Sequence, residues 1–474
     1  MKKFDYNLIV IGAGAAGLVS SYIAAATNAK VALIEQHKMG GDCLNTGCVP
    51  SKALIKTAKV LSQIQQAEDF GLGQAHVEWD FQTVMQRVQR IIATIEPHDS
   101  VERYSQLGVD CIAGQASITG AHEVLVNGSA LTARAIIVAT GARPRVPDLP
   151  GLADIAYLTS DNLWQLSACP ERLAIIGGGP IGVEMAQAFA RLGANVTIIE
   201  RSPTLMSRED ANVTDFIEAR LRQADVTVLT QHEVEGFSPK TVTCLHQGER
   251  VDVGFDQVLI ALGRQANIEG FGLETLGVQL NKTGTVAANA LMQTNIPSIY
   301  VCGDVTGPYQ FTHAAAHQAW YASINALFSP FKRFKVDYRV IPWVTFTDPE
   351  VARVGLNEKS AQADGVAYEV STYHLSDLDR AITESEAYGF IKVLTRPKSD
   401  KILGVTIIGA HAGELLAEFV LAMKHGIGLN KILGTIHAYP TFTEANKYVA
   451  GQWRQAHKPN WAMRLLRRFH TWRR

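Results

Sequence analysis

The sequence predicts an α/β fold built from two strand–turn–helix–strand units, followed by an α+β domain. Three observations carry this. An apolar run, a glycine-rich turn, a helix and a second apolar run ending in Glu occur near the start of the chain and again in its middle. From the first glycine of the turn to the closing Glu is 23 positions in both copies. From about Ile341-Pro342-Trp343 the pattern turns to alternation, with Val344 and Phe346, later Phe390, Ile391 and Val393, then Leu403–Ile408 and a helix from about Glu414.

Length and composition set the frame. The 474 residues suit about three domains. With 47% apolar and 19% charged residues, a largely disordered chain is excluded. Six Cys do not make a disulfide-rich secreted scaffold. A net charge of −1 gives no overall field for nucleic acid, and none is expected as a partner. The uncharged stretch Tyr6–Ala29 mimics a leader or a membrane span. Asp5 before it and Gly12, Gly14 and Gly17 within it argue for a short strand and a small-residue helix instead. The expectation is a cytoplasmic protein.

In chain order, Leu8–Ile11 is a buried parallel strand. Gly12-Ala13-Gly14-Ala15-Ala16-Gly17 is the turn, and Val31–Glu35 is the second strand. This matches the dinucleotide fingerprint of the Rossmann fold, in which the closing acid takes the ribose hydroxyls. The second copy runs Leu173–Ile176, then Gly177-Gly178-Gly179-Pro180-Ile181-Gly182, then Ala194–Glu200. Two fingerprints imply two dinucleotides, and the usual reason for both in one chain is electron transfer between them. Ala135–Gly141, Gln257–Gly263 and Ser298–Asp304 read as further strands, with Thr140, Gly141, Gly263 and Asp304 at carboxyl ends where ligands sit.

Cys43 and Cys48 are spaced Cys-x4-Cys, which suits zinc poorly; no metal site is expected. Cys111, Cys169, Cys244 and Cys302 stand alone. Pro50 suits the first turn of a helix running through Ala58. Cys48 then lies near the helix N-terminus, where the dipole and free N–H groups favour a thiolate. Lys52, one turn on, brings positive charge to the same place.

Gly40-Gly41-Asp42-Cys43-Leu44-Asn45-Thr46-Gly47-Cys48-Val49-Pro50-Ser51-Lys52 resembles the active-site signature of the flavoprotein disulfide reductases. That family includes lipoamide dehydrogenase, glutathione reductase and mercuric reductase. The resemblance covers nearly the whole chain, through Gly303-Asp304 to Phe346-Thr347-Asp348-Pro349-Glu350. It implies FAD along Gly12, Gly14, Gly17, Glu35, Gly41, Lys52, Thr140, Gly141 and Asp304. It implies NAD(P)H along Gly177, Gly179, Gly182, Glu200 and Gly263. Hydride would pass from nicotinamide to flavin, and the flavin would reduce a Cys43–Cys48 disulfide. Cys48 would face the flavin, and Cys43 would attack a dithiol or disulfide substrate. Glu184 matches the acidic partner of Lys52. Glu200 favours NADH, because a carboxylate repels a 2′-phosphate; Arg201 and Arg208 keep NADPH open.

The implied domains are 1–150 and 271–340 for FAD, 151–270 for NAD(P), 341–457 for dimerisation, and a basic tail over 458–474. The dimerisation domain implies a homodimer whose site is completed by the partner's C-terminal segment. There the chain departs from the family. His437-Ala438-Tyr439-Pro440-Thr441-Phe442-Thr443-Glu444 carries Tyr439 where lipoamide dehydrogenase and glutathione reductase place the acid/base His. Glu444 keeps the spacing of its partner, and His437 comes two residues early. A Tyr, with a pKa near 10, is a poor base at neutral pH. The reading is therefore a lipoamide-dehydrogenase-like oxidoreductase with an atypical Tyr439. Mercuric or other metal-ion reduction, and NADH oxidase or quinone reductase activity, are the alternatives. Thr312 and His313 match a family segment near the flavin.

Residues 458–474 hold Lys458, Arg464, Arg467, Arg468, Arg473 and Arg474 with no Asp or Glu. The remaining chain has 38 basic and 45 acidic residues. Trp461, Leu465, Phe469 and Trp472 recur at helical spacing, a pattern open to two readings: a weak membrane-surface helix, or a tail packed on the dimer or frayed in solvent.

Overall fold

The computed structural model describes residues 3–474. They form two compact units. One holds the residues up to 61, 77–201 and 231–337; the other holds 62–76, 202–230 and 338–474.

The first unit opens with β1 (Tyr6–Ile11), α1 (Ala15–Ala26) and β2 (Val31–Glu35), then α2 (Gly41–Asn45) and α3 (Cys48–Gln65). The helix expected through Ala58 thus starts two residues before Pro50 and continues to Gln65. A parallel strand β3 (Val109–Ala113) and a meander of β4 (Ala116–Gly120), β5 (Glu123–Val126) and β6 (Ser129–Val138) complete most of one sheet. Its order is β3-β2-β1-β6-β5-β4. β1 is parallel to both β2 and β6.

A second sheet joins β7 (Arg172–Ile176), followed by α4 (Pro180–Arg191), to β8 (Asn195–Glu200) and β9 (Gln257–Ile260). β7 is parallel to each neighbour. Back in the first sheet, β10 (Ile299–Val301) pairs parallel with β6, and α5 (Thr312–Phe328) follows it. The strands expected over Gln257–Gly263 and Ser298–Asp304 are shorter than their apolar runs, because their last residues turn out of the sheet as loops at its carboxyl edge.

Alternation along the central strands β1, β2 and the last residues of β6 explains why they are apolar on both faces. Leu8, Val10, Leu33 and Ile137 pack with Ala16 and Leu18 of α1 and Ala319 and Ala322 of α5. Their neighbours Ile9, Ile11, Ile34, Ile136 and Val138 face the other way, onto Ile118, Val124 and Phe271. Both faces are dry, so neither strand face can be polar. The antiparallel three-stranded sheet over residues 233–254 carries no motif and was not expected from the sequence.

The second unit holds a five-stranded antiparallel sheet: β11 (Pro342–Thr345), β12 (Glu350–Gly355), β13 (Glu369–His374), β14 (Phe390–Thr395) and β15 (Ile402–Gly409). Its order is β11-β12-β15-β14-β13. Ala352, Val354, Ile391, Val393, Val405 and Ile407 share one core with α6 (Ala412–Lys424) and α7 (Glu444–Ala456). Lys392, between two of those apolar positions, is fully buried. It is tolerated because Asp210 and Glu358 accept from its ammonium at 2.5 and 2.8 Å. The last helix, α8 (Asn460–Arg473), buries none of its residues. No helix among the described residues is long and apolar enough to cross a membrane.

Candidate active site

The two glycine turns share one set of steric demands. Gly12 and Gly177 both have positive φ, +99° and +113°. A Cβ on either would strike a backbone carbonyl of the neighbouring strand end, Ala139 or Ala261. A Cβ on Gly17 would fall into the carbonyl of Gly12, and one on Gly182 into that of Gly177. The third glycine is what lets each helix start directly above its strand. The carboxylates are placed alike. Glu35 accepts from the Ala13 N–H at 2.7 Å, and Glu200 from the Gly178 N–H at 2.7 Å.

The middle glycines differ. Gly14 faces Gly41 of α2, so closely that a Cβ on Gly41 would lie 2.6 Å from the Gly14 Cα. Nothing stands within 4 Å of a Cβ on Gly179. The first turn is therefore roofed by the segment that carries Cys43, while the second is open.

A cavity of about 950 Å³ extends from the first turn. It is lined by Gly12, Gly14, Glu35, Gly41, Cys43, Cys48, Lys52, Thr140, Gly141, Glu184 and Asp304. Of the expected residues in this unit, Gly17, Gly177, Gly179, Gly182, Glu200 and Gly263 lie outside that lining. Ile181, Glu184 and Met185 of α4 do reach it, so the helix that follows the second glycine turn forms part of the cavity wall within the same unit. The size is at the upper end of ordinary ligand sites. A glycine-floored turn at the start of a helix, with no side chain between backbone and cavity, fits the pyrophosphate of a dinucleotide such as FAD.

Cys43 and Cys48 are both free thiols here. α2 and the first turn of α3 hold them side by side. The Cys43 thiol donates to the Cys48 sulfur, and this is the main influence holding the Cys48 thiol down, to about 6. The Thr312 hydroxyl, 3.4 Å from the Cys48 sulfur, and the Lys52 charge act in the same direction against the cost of burial. The Cys43 thiol is pushed far up by the same hydrogen bond, then by burial and the neighbouring thiolate. The pair is thus polarised, with a thiolate on Cys48 and the proton on Cys43.

Lys52 donates to Glu184 at 2.9 Å across the cavity floor. Glu184 is buried, so each charge depends on the other. Asp304 is half-buried, and burial raises its carboxyl above the usual range.

Several residues here carry no sequence signal of their own. Arg264 lies 3.4 Å from Asp304, donates to the Ala142 carbonyl at 2.7 Å and also meets Asp42. Its position directly after Gly263, where a strand's carboxyl end meets the cavity, is the one hint the sequence offers. Asn267 ties down Thr140, accepting from its hydroxyl through the Asn267 carbonyl at 2.7 Å and donating to its carbonyl at 2.9 Å. The Trp164 indole N–H is shared by the carbonyls of Thr46 and Ser160 at 2.8 and 2.7 Å, which pins the loop between the two Cys.

Tyr439 and Glu444 belong to the other unit and are not joined to each other. Tyr439 is exposed, and its hydroxyl donates to Asp379 at 3.0 Å. That carboxylate pushes the phenol further up, away from any use as a base. Glu444 is buried and accepts from the Tyr448 hydroxyl at 3.1 Å and the Thr441 N–H at 3.3 Å. His437 does not replace the missing His: Glu418 holds its Nε2 at 3.1 Å, the Thr435 carbonyl its Nδ1 at 3.1 Å, and its side chain is 6% exposed.

Residues 6–319 match the family profile of the pyridine nucleotide-disulphide oxidoreductases, and residues 341–450 match the dimerisation domain of that family. Mercuric reductase of Staphylococcus aureus is 32% identical over 450 residues, 94% of this chain and 82% of that one. Dihydrolipoyl dehydrogenase of Chlamydia muridarum is 34% identical over 453 residues, 93% of this chain and 95% of that one. Among solved structures, the Cu(II) complex of the HOCl-induced flavoprotein disulfide reductase RclA from Escherichia coli superposes with a TM-score of 0.83. It is 27% identical, over 93% of this chain and 98% of that one. The paired glycine turns, the polarised Cys43–Cys48 pair and the dimerisation fold accordingly place this chain in the pyridine nucleotide-disulphide oxidoreductase family, enzymes that use FAD and a pyridine nucleotide to act on sulfur groups.

Proposed function

We propose that the chain is an NAD(P)H-linked reductase in which Cys43 and Cys48 exchange two electrons with a small disulfide, and that it runs dihydrolipoamide oxidation poorly. The observation that carries this is the polarised pair at the cavity wall; in the other unit, the residue at the family's acid/base position is a tyrosine tied to Asp379.

Gly12, Gly14, Gly17, Glu35, Gly41, Thr140, Gly141 and Asp304 would hold FAD. Gly177, Gly179, Gly182, Glu200 and Gly263 would hold the pyridine nucleotide. Bound FAD supplies two-electron transfer between nicotinamide and sulfur. This chain's residues supply the rest. Lys52, ion-paired with Glu184 at 2.9 Å, would place a cation where negative charge accumulates on reduction. The Cys48 thiolate is stabilised by Thr312 and by Cys43. The Cys43 thiol, once deprotonated, attacks one sulfur of the substrate disulfide; the other sulfur leaves as a thiolate that takes a proton. The mixed disulfide is then broken by Cys48, which leaves Cys43–Cys48 oxidised and the substrate as two thiols.

Oxidising a dithiol reverses this and needs a base to take the substrate's protons. A positioned base is worth roughly 10²–10⁴ in rate. Tyr439 does not provide one. NADH is the favoured nucleotide, because Glu200 occupies the ribose position. The nearest following cation, Arg201, is exposed and lies 3.9 Å from Glu233.

A second reading, reduction of a thiol-seeking metal ion by the same pair, draws on the mercuric reductase relatives and on Tyr439. Such a substrate carries no proton to remove.

The test compares NAD⁺ reduction by dihydrolipoamide with NADH-driven reduction of small disulfides and of Hg(II), for the wild type and Tyr439→His. The expected result is slow dihydrolipoamide oxidation and slow lipoamide reduction by the wild type, both raised by about 10² or more in the variant, with reduction of disulfides whose leaving thiolates need no proton, such as an aromatic disulfide, fast in both. Fast dihydrolipoamide oxidation by the wild type, unaltered by the substitution, would overturn the reading. Fast Hg(II) reduction with slow disulfide reduction would select the second.

A further inference from the structure

We propose that α8 is a docking element for an anionic lipid surface, on which it lies flat and holds the enzyme at the leaflet. The helix contains 14 residues, none buried. At 1.5 Å per residue it is about 21 Å long, too short for the roughly 30 Å hydrocarbon core of a bilayer. It can lie on a membrane but not cross one.

Its two sides differ in chemistry. At 3.6 residues per turn, Trp461, Leu465, Phe469 and Trp472 fall within an arc of about 80°. Leu466 extends this apolar side. Trp461 is 63% exposed and Trp472 is 81% exposed, so large aromatic surface stands in water near both ends of the helix. Arg464, Arg467 and Arg468 fall on the remaining side, and Arg473 lies over the Phe469 ring at 5.6 Å. Lys458 and Arg474 flank the helix. There is no carboxylate between residues 458 and 474.

That combination selects the occupant. An apolar stripe bordered by arginines, with Trp at its ends, matches a leaflet whose acyl boundary takes the rings and whose phosphates take the guanidinium groups. Arginine forks pair with phosphate oxygens in two-bond geometry. The family's dimerisation match ends at residue 450, so the helix lies beyond the segment that match assigns to pairing of subunits.

The experiment uses the FAD-loaded full-length enzyme. Its sedimentation is followed with vesicles of phosphatidylglycerol and phosphatidylcholine in equal parts, and with phosphatidylcholine alone. Two variants run beside it: a chain ending at residue 457, and Arg467→Glu with Arg468→Glu. The full-length enzyme is expected to pellet with the anionic vesicles at low salt, to be released at high salt, and to show a blue shift of tryptophan emission on binding. Truncation and charge reversal should each cut the bound fraction at least about tenfold. NADH-linked turnover of the truncated chain should remain that of the full-length enzyme, since no buried contact is lost. Equal pelleting of the truncated chain, or equal pelleting with neutral vesicles, would overturn the proposal. So would truncation that changes the oligomeric state without changing lipid binding, because the partner of the stripe would then be a second copy of this chain.

Discussion

The two glycine turns are near copies in backbone, yet they are built for different residence. Both need Gly at the first position for a positive φ and at the third for helix–strand approach, and both aim a Glu at the turn's second N–H. Only the first is roofed, by Gly41 against Gly14, and that roof belongs to the segment holding the redox pair. The second leaves Gly179 open. Under the proposed function, one backbone recipe would serve a cofactor kept next to sulfur and a co-substrate that must come and go. What distinguishes them is the second layer of chain over the turn.

The largest expected effect comes from filling the third glycine. Gly17→Val should leave a protein that purifies without flavin or fails to fold. Gly182→Val should keep its yellow colour while NADH-linked turnover falls by about 10³ or more. Flavin content and turnover, measured on the same samples, check this. Equal flavin loss in both variants would break the distinction between the turns.

Next, Gly41→Ala should harm only the first site. Its φ of +56° and its contact with Gly14 leave no room for a methyl group. FAD release on dilution should accelerate, with KM for NADH altered less than about twofold in the fraction that stays loaded. Gly179→Ala, facing open space, should show the reverse: normal flavin retention and a raised KM.

The carboxylates sharpen the comparison further. Glu200→Gln removes a charged acceptor worth about 1.5–3 kcal/mol. KM for NADH should therefore rise about 10- to 100-fold, while KM for NADPH falls or holds. A variant that loses both nucleotides equally would show that Glu200 serves the fold and not the ribose.

A smaller effect is expected at Cys48. Its thiolate should form as pH rises through about 6, so the ultraviolet thiolate absorbance of the reduced protein should already be near full at neutral pH. Cys43→Ala and Thr312→Val both remove hydrogen bonds to that thiolate. Each should move the transition to higher pH, the first further than the second. A transition near the ordinary thiol range in the unsubstituted protein would remove the polarised pair from the account.

Much of this was legible in the sequence. The repeated glycine spacing located both turns, and the Cys-x4-Cys segment located the redox pair, because each motif answers a local steric or chemical demand within a few residues. The Lys52–Glu184 pair spans 132 positions and was reached only through family resemblance. Arg264, Asn267 and Trp164 were missed because each acts through contacts with residues more than 100 positions away in the chain, which no local pattern encodes. Pro50 does fall in the first turn of α3, as expected, and the helix runs on past Ala58 to Gln65. Pro50 is tolerated anywhere in the first turn, so it marks that turn without marking its first residue. The antiparallel sheet over 233–254 is half-exposed on short strands, and its alternation is too weak to stand out from loop.

The central claim is that electrons from the nicotinamide arrive at Cys43 and Cys48. The most direct measurement is anaerobic reduction of the air-oxidised enzyme by NADH, followed by alkylation under denaturing conditions and mass mapping of the cysteines. The account predicts two new alkylated thiols, at Cys43 and Cys48, with Cys111, Cys169, Cys244 and Cys302 the same before and after. Bleaching of the flavin with no new thiol at those two positions, together with full turnover in Cys43→Ser, would contradict it.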